Sequence, residues 1–463
     1  MLLLVLTGCS SQTASPRALW LRQALVNENT YWLARNPVGL ADKYDAMAED
    51  QYDYMRGSAG TWYADISRIS SERITTDMLD DTEPVLLVGD AHPENLSTTI
   101  PGRFLSPTHT DPIPEITLEI IDLDAAIYGP WLLDLRRSAT SLRVEAAPLS
   151  SCEADCIEDA IEELVAGYID GALGDAPPIV PGSIIENLLA ETIDEGQARE
   201  KYRENTADTI FADLKLRYDL ELDDSGVGVL VLTGEEQAQI DRLMAQYDGP
   251  AGFRVLDAVR RFGTGISSRA AVRYLVLWDL GDDTTDADNG ILTVRETIDP
   301  PIIPGLFAET GDRYPDNAQR IEAVSALLWS DPEADAAAAG MTDGELAFKV
   351  LTWSSWFQDA DHTDVIEDWE DGDIDAGDFA SMAGMLGYTL GSSHRRGETA
   401  SGGSAVPVLE EGLDGREDDL LIEILEASES DWLDHRQDHA IFRDLLDTHG
   451  PLLGAEQRAE DVP

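Results

Sequence analysis

Pro84-Val85-Leu86-Leu87-Val88-Gly89-Asp90-Ala91-His92-Pro93-Glu94-Asn95 is the stretch on which the fold turns. Val85 to Val88 is a short unbroken apolar run, the pattern of a buried strand. Gly89 ends it, and glycine lets the backbone turn where other residues cannot. Asp90 follows at once, with Asn95 in the same short loop. A carboxylate at the end of a buried strand can take up a proton. Carboxylate and amide oxygens together can hold a hard divalent cation. Further on, Ile116 to Leu123 alternates apolar and polar positions, a second strand pattern, and runs into Asp122 and Asp124.

Those two segments resemble the catalytic and metal-binding segments of the aminoglycoside phosphotransferase superfamily. Asp90-x-x-x-x-Asn95 has the spacing of a kinase catalytic loop. His92-Pro93 inside it matches the aminoglycoside-kinase variant. The resemblance implies that Asp90 receives the acceptor's proton and that Asn95, Asp122 and Asp124 hold magnesium beside the phosphates of a nucleotide such as ATP. Gly129-Pro130-Trp131-Leu132-Leu133-Asp134-Leu135 is similar to the segment that follows, whose aspartate braces the loop. His92 is then expected to brace the loop as well. The acceptor implied is a small molecule.

The order of the parts is unusual. Kinases carry their glycine-rich loop, lysine strand and regulatory helix before the catalytic loop. Here the segment before Asp90 reads as helix, with Tyr44, Met47, Ala48, Tyr52 and Met55 along one face. The strand patterns come later, at Arg254 to Arg261, Ala270 to Leu280 and Gly290 to Ile298. Gly263-Thr264-Gly265-Ile266-Ser267-Ser268 lies between the first two. A dinucleotide fold needs a helix after such glycines, whereas a strand follows here, so a phosphate-covering hairpin fits better. Gly263, Gly265, Ser267 and Arg295 are the expected nucleotide contacts. Glu322, on a helix from Asn317 to Trp329, is the expected partner of the Arg295 strand. The expectation is an α+β, protein-kinase-like two-lobe fold, circularly permuted. Residues 17–250 form a mostly helical large lobe, 251–360 a small antiparallel lobe, and 361–463 helices that complete the large lobe. Residues 151 to 245 read as helices throughout, Phe348 to Phe357 as strand-like, and Ile422 to Leu446 as closing helices.

The same residues support a narrower resemblance. Lys43-Tyr44-x-x-Met47, Arg56-Gly57, Gly89-Asp90-x-His92-x-x-Asn95, Asp122-x-Asp124, Gly129-Pro130-Trp131-x-x-Asp134-x-x-Arg137, Gly263-x-Gly265 and Gly391-x-x-His394-x-Arg396 occur in this order. They resemble the bacterial family called domain of unknown function 2252, over roughly residues 40 to 445. That resemblance implies a fold and no particular substrate. One position departs from it: the family's small-lobe strand usually ends in Lys-Glu, and here it reads Arg295-Glu296. Arginine keeps the charge without matching lysine's geometry.

Bulk properties narrow the partners and the compartment. The 463 residues carry a net charge of -58, from 90 acidic and 32 basic residues. Such a surface repels phosphate backbones, so nucleic acid is not expected as a partner. The acidic residues are spread along the chain, the habit of a solvated, salt-tolerant surface. Leu2 to Leu6 is apolar and Leu6-Thr7-Gly8-Cys9 has the form of a lipobox, with Ser10 to Pro16 as a tether. This predicts an exported lipoprotein held to a membrane only by lipid on Cys9, or a cytoplasmic protein if the lipobox is fortuitous. Cys152 and Cys156, one helical turn apart, read as a disulfide, a two-thiol metal clip or two inert thiols.

Three readings compete. One is a magnesium- and nucleotide-dependent phosphotransferase. The second is a kinase-like pseudoenzyme that binds a ligand or partner without catalysis, favoured by Arg295 and the lipobox. The third is a dinuclear phosphoesterase, because Asp90-x-His92 is how such motifs open. That class also needs a Gly-Asn-His segment, which the chain lacks, and it has only seven histidines in all.

Overall fold

The computed structural model describes residues 15–68, 83–99, 116–175, 184–193, 228–249, 252–279, 290–300, 313–330, 339–352 and 358–455. The lipobox and Cys9 lie outside these residues, as do Leu280 and residues 353–357 of the strand patterns. The architecture is α+β, with many helices and small antiparallel sheets.

The described residues pack in three arrangements, each drawing on distant parts of the chain. The first holds the loop segment. Strand β1 (Val85–Leu87) is buried throughout. Strands β2 (Leu96–Thr99) and β3 (Thr117–Ile120) pair antiparallel. Strand β4 (Ile127–Gly129) returns antiparallel to β1, with Val85 opposite Gly129. The Leu132–Ala146 helix follows and is buried along its whole length. Even its polar face is inside, because Arg136 pairs with Asp431 at 2.6 Å. That aspartate belongs to a single helix, Glu417–His449, where several closing helices were expected.

Two helices make the largest apolar core with these strands. They are Ala154–Leu173 and Ala376–Arg396, and they touch backbone to backbone. A Cβ on Gly387 would stand 2.0 Å from the Leu164 carbonyl oxygen, and one on Gly391 2.2 Å from that of Tyr168. Gly167 and Gly171 meet the carbonyls of Gly384 and Tyr388 in return, at 2.1 and 2.2 Å. Cys152 and Cys156 are joined by a disulfide at the start of the first of these helices.

The second arrangement is the larger sheet. Its strands are β5 (Gly228–Val231), β6 (Arg254–Phe262), β7 (Arg273–Asp279), β8 (Gly290–Thr297), β9 (Ala339–Asp343) and β10 (Leu346–Thr352), in the order β5-β6-β7-β8-β10-β9. Strand β5 corrects the helical reading of residues 151 to 245. Four residues are too few for periodicity to betray them, and Leu230 and Val231 sit exposed on the sheet edge. One face carries Tyr274, Val276, Trp278, Val294, Phe348 and Val350 into a core with Ile240 and Leu243 of the Gly234–Met244 helix. Strand alternation therefore turns Arg273, Arg295 and Lys349 to the other face.

In the third arrangement, the N-terminal helices Pro16–Glu28, Thr30–Arg35 and Pro37–Glu49 pack on Phe442 and Leu445 of the long helix. Ile266, Ala270 and Ala271 join this cluster, and Asn36 Nδ2 donates to the Ala270 carbonyl at 2.8 Å. The glycine-rich turn after β6 is thus anchored from outside its own sheet.

Candidate functional site

The loop after β1 is shaped by its glycine. Gly89 has φ +86°, and a Cβ there would stand 2.1 Å from the Ala125 carbonyl oxygen. No side chain fits that space. Asp134, in the first turn of the Leu132–Ala146 helix, accepts from Val88 N at 2.6 Å and from Gly89 N at 3.1 Å. His394 Nε2 reaches the same carboxylate at 3.0 Å, and Tyr63 Oη donates to it at 3.3 Å. Asp134 therefore makes the contacts a loop brace requires.

One turn after Asp134, Arg137 brings Nε and Nη2 to Asp90 Oδ1, at 2.8 and 2.7 Å. The same side chain donates to Met55 O at 2.9 Å. Asp90 Oδ2 lies 3.9 Å from His92 Nε2. Burial drives His92 down to about 3, more than the nearby Asp90 carboxylate raises it. The ring is neutral at ordinary pH, with Tyr52 Oη 3.4 Å from Nδ1. Asn95 Nδ2 donates to the Asp90 carbonyl at 2.8 Å, which closes the loop. Glu94, between them, pairs with Arg56 at 2.6 Å, yet burial pushes it up to about 8.

Asp122 ends the β3 segment in the left-handed conformation, φ +62°, uncommon for a residue with a side chain. Strained backbone of this kind persists only where the surroundings hold it. Arg320 does so, donating to the carbonyls of Asp124 and Ala126 at 2.6 Å each. The turn presents Asp122 and Asp124 together. Arg295 Nη2 donates to both carboxylates. Lys349 Nζ stands 2.9 Å from Asp122 Oδ1 and 2.6 Å from Asp124 Oδ1. Burial alone would raise Asp122; Arg295 and Lys349 outweigh it and hold the carboxyl well below its usual range.

The Gly263–Ser268 turn reaches this point through arginines. Gly263 and Gly265 both have positive φ, +78° and +69°. Arg273 donates to Thr264 Oγ1 and, at 2.9 Å, to Ser268 Oγ. Arg295 Nη1 donates to the same Ser268 oxygen at 3.4 Å. One arginine thus bridges the turn and Asp122. Ser267 is exposed beside them.

One expected partner is elsewhere. Glu322 is exposed on the Asn317–Leu328 helix and accepts from Gly340 N at 3.1 Å, so it does not hold the Arg295 strand. Glu296 is the acid that anchors that strand, through Arg35 at 2.5 Å and Tyr31 Oη at 2.6 Å. Lys349 and Arg273 were not expected in the site. Lys349 carried a signal: it is one of only four lysines in an arginine-rich chain.

Chemically, Asn95, Asp122 and Asp124 offer hard oxygen donors suited to magnesium. Asp122 and Asp124 already converge on one point charge, the Lys349 ammonium, so their spacing suits a shared cation. Among the described residues, no three of His, Cys, Asp and Glu gather as a ligand set.

The family described as "Uncharacterized protein conserved in bacteria (DUF2252)" matches residues 35–445. This chain belongs to DUF2252. No curated protein and no solved structure matches it. Asp90, Asn95, Asp122, Asp134, Arg137, Arg295, Lys349 and His394 of this DUF2252 chain all fall inside the matched span.

Proposed function

We propose that this chain is a kinase-like phosphotransferase that moves a phosphoryl group from a nucleotide triphosphate to a small hydroxylated or amino acceptor. The observation that carries the reading is the facing pair: Asp122 and Asp124 on one side, Arg295 and Lys349 on the other, with the Asn95 carbonyl of the Asp90 loop accepting from Ile121 N, next to Asp122, at 2.9 Å. Phosphoryl transfer asks for positioned charges and one proton acceptor, and little covalent chemistry from the protein.

In this mechanism the acceptor oxygen or nitrogen forms a bond to the γ-phosphorus as the bond to the leaving diphosphate breaks. Asp90 takes the acceptor's proton on Oδ2, because Arg137 occupies Oδ1. Asp134, His394 and Tyr63 keep the loop from recoiling. Arg295, with Lys349, holds phosphate oxygens, so the lysine missing from β8 is supplied by β10. Ser268, Gly263 and Gly265 cover the phosphates from the turn. Magnesium, held by Asn95, Asp122 and Asp124, would neutralise phosphate charge there. The permuted two-lobe arrangement belongs to this proposal, with the Asp90 loop ahead of the sheet that covers it.

The experiment is ATP turnover by the full chain with magnesium and a panel of small alcohols and amines. Asp90→Asn is expected to lower turnover about 10²–10⁴-fold while nucleotide binding survives. Turnover unchanged by that substitution would remove Asp90 from its role.

A second reading rests on the same pairs. With Arg295 and Lys349 neutralising both carboxylates, the chain would be a binding protein without catalysis. Nucleotide binding with no turnover would select it. Export as a lipoprotein accompanies either reading, supported by Leu6-Thr7-Gly8-Cys9 and by the Cys152–Cys156 bridge. Fatty-acid labelling of wild type and Cys9→Ser tests it; unlabelled protein recovered in the cytosol would return it to the cytoplasm.

A further inference from the structure

Residues directly opposite one another in an antiparallel sheet share a face. Arg261 stands opposite Arg273, Arg273 opposite Arg295, and Arg295 opposite Lys349. Four neighbouring strands, β6, β7, β8 and β10, therefore set four cations in one row. With strands roughly 4.8 Å apart, the row is about 14 Å long. The next row, Arg260, Tyr274, Val294 and Val350, points to the opposite face, where Arg260 pairs with Glu236 at 3.1 Å.

Like charges directly opposite one another destabilise a sheet. Apolar residues at these positions would serve folding better, so the row calls for an anionic counterpart. Asp122 and Asp124 supply it directly to Arg295 and Lys349. Arg273, in the middle, hydrogen-bonds two neutral hydroxyls, Thr264 and Ser268. Burial, with Arg295 and Arg261 beside it, lowers Arg273 to about 9. A small cavity opens among Arg273, Thr293, Arg295, Lys349 and Leu351.

We infer that this row binds a linear polyphosphate together with a divalent cation, by exchange of ion pairs. Polyphosphate oxygens take the places of Asp122 and Asp124 on Arg295 and Lys349 and extend to Arg273. The divalent cation takes the places of Arg295 and Lys349 on the two carboxylates. The inference rests on the phosphotransferase reading of this site and adds the ligand's length and its coupling to metal. Either ligand alone would strip charged groups of their partners without replacing them, which is unfavourable in a partly buried site. Both together leave Arg273, Arg295, Lys349 and the two carboxylates paired. Binding of the two is therefore cooperative, and each raises the affinity of the other by the same factor.

Calorimetric titration of inorganic tripolyphosphate into the full chain, with and without magnesium, tests this without any turnover. The magnesium complex is expected to bind at least ~10-fold more tightly than free tripolyphosphate, a typical coupling between sites. Orthophosphate is expected to be weaker than both. Arg273→Gln should weaken the complex several-fold, whereas Arg260→Gln, on the other face, should leave it unchanged. Thermal melts of both variants establish that they are folded. Equal affinity with and without magnesium would overturn the exchange, and orthophosphate binding as tightly as tripolyphosphate would overturn the row. Coupled binding without ATP turnover keeps the inference and removes the catalytic reading alone. Turnover with uncoupled binding does the reverse.

Discussion

Arg137 decides how Asp90 behaves. It is almost wholly buried, and it spends two nitrogens on one oxygen of that carboxylate. Arg137→Met would leave Asp90 buried without its cation. Breaking a buried pair from one side costs about 3–5 kcal/mol, and urea unfolding is expected to show a loss of that order. A loss under about 1 kcal/mol, the usual worth of an exposed pair, would mean that Asp90 is solvated in the native state. Glu94 and His92 give the same loop a pH signature. Glu94 is raised by burial to about 8, so its contribution to stability is complete below the ordinary glutamate range and is lost as pH rises through 8. His92 is lowered to about 3, so its contribution is complete above the ordinary histidine range and is lost as pH falls towards 3. Unfolding midpoints of wild type are expected to decline on both sides of the mildly acidic range. Glu94→Gln should flatten the alkaline side and let the acid decline begin as high as the ordinary histidine range, and an unchanged alkaline slope would place its cause elsewhere.

The glycines of the Ala154–Leu173 and Ala376–Arg396 helices matter because of what lies beyond them. Gly387 and Gly391 let the two backbones touch, and His394, one turn on, then lands on Asp134. Gly391→Val would force the helices apart. Overpacking of this kind costs about 1–3 kcal/mol or more. The separation would also carry His394 away from the loop brace. Melting temperature should fall, and nucleotide binding should weaken with it. A stable variant that binds as wild type does would show the helix contact to be dispensable. Much at this scale is legible in sequence. β1 and β7 are apolar runs ended by glycine or acid, and β3 and β8 carry apolar residues on alternate positions, since a buried strand must be apolar throughout or on alternate positions. The Asp90, Asn95, Asp122 and Asp134 constellation is legible because its members sit at element ends, at spacings local geometry fixes. Arg273 is not, and Lys349 stands out only as a rare lysine, because their place depends on which strands neighbour one another. That order, β7-β8-β10, is set by long connections whose lengths encode no register. Glu322 misleads for the same reason: its helix runs beside the sheet, but Glu296 already takes Arg35 and Tyr31. The short, exposed β5 has neither length nor a buried face to announce it.

Over the whole molecule the net charge of -58 is a standing repulsion. The Debye length shrinks from about 10 Å at 0.1 M salt to about 3 Å at 1 M. Raising potassium chloride across that range is expected to raise the melting temperature, since exposed pairs such as Arg242–Asp343 have little to lose. A falling melting temperature would mean that ion pairs outweigh repulsion.

The Cys152–Cys156 bridge joins neighbours on the chain, so it constrains little that the helix has not already fixed. What it preserves is a history. Two thiols this close, in a cell whose interior is kept reduced, stay as thiols; past the membrane they oxidise. Protein taken from its own cells, alkylated as it is unfolded in denaturant and then digested, would give the peptide that carries Cys152 and Cys156 either two labels heavier or two hydrogens lighter than its reduced form. The balance reads out which side of the membrane the helix was folded on.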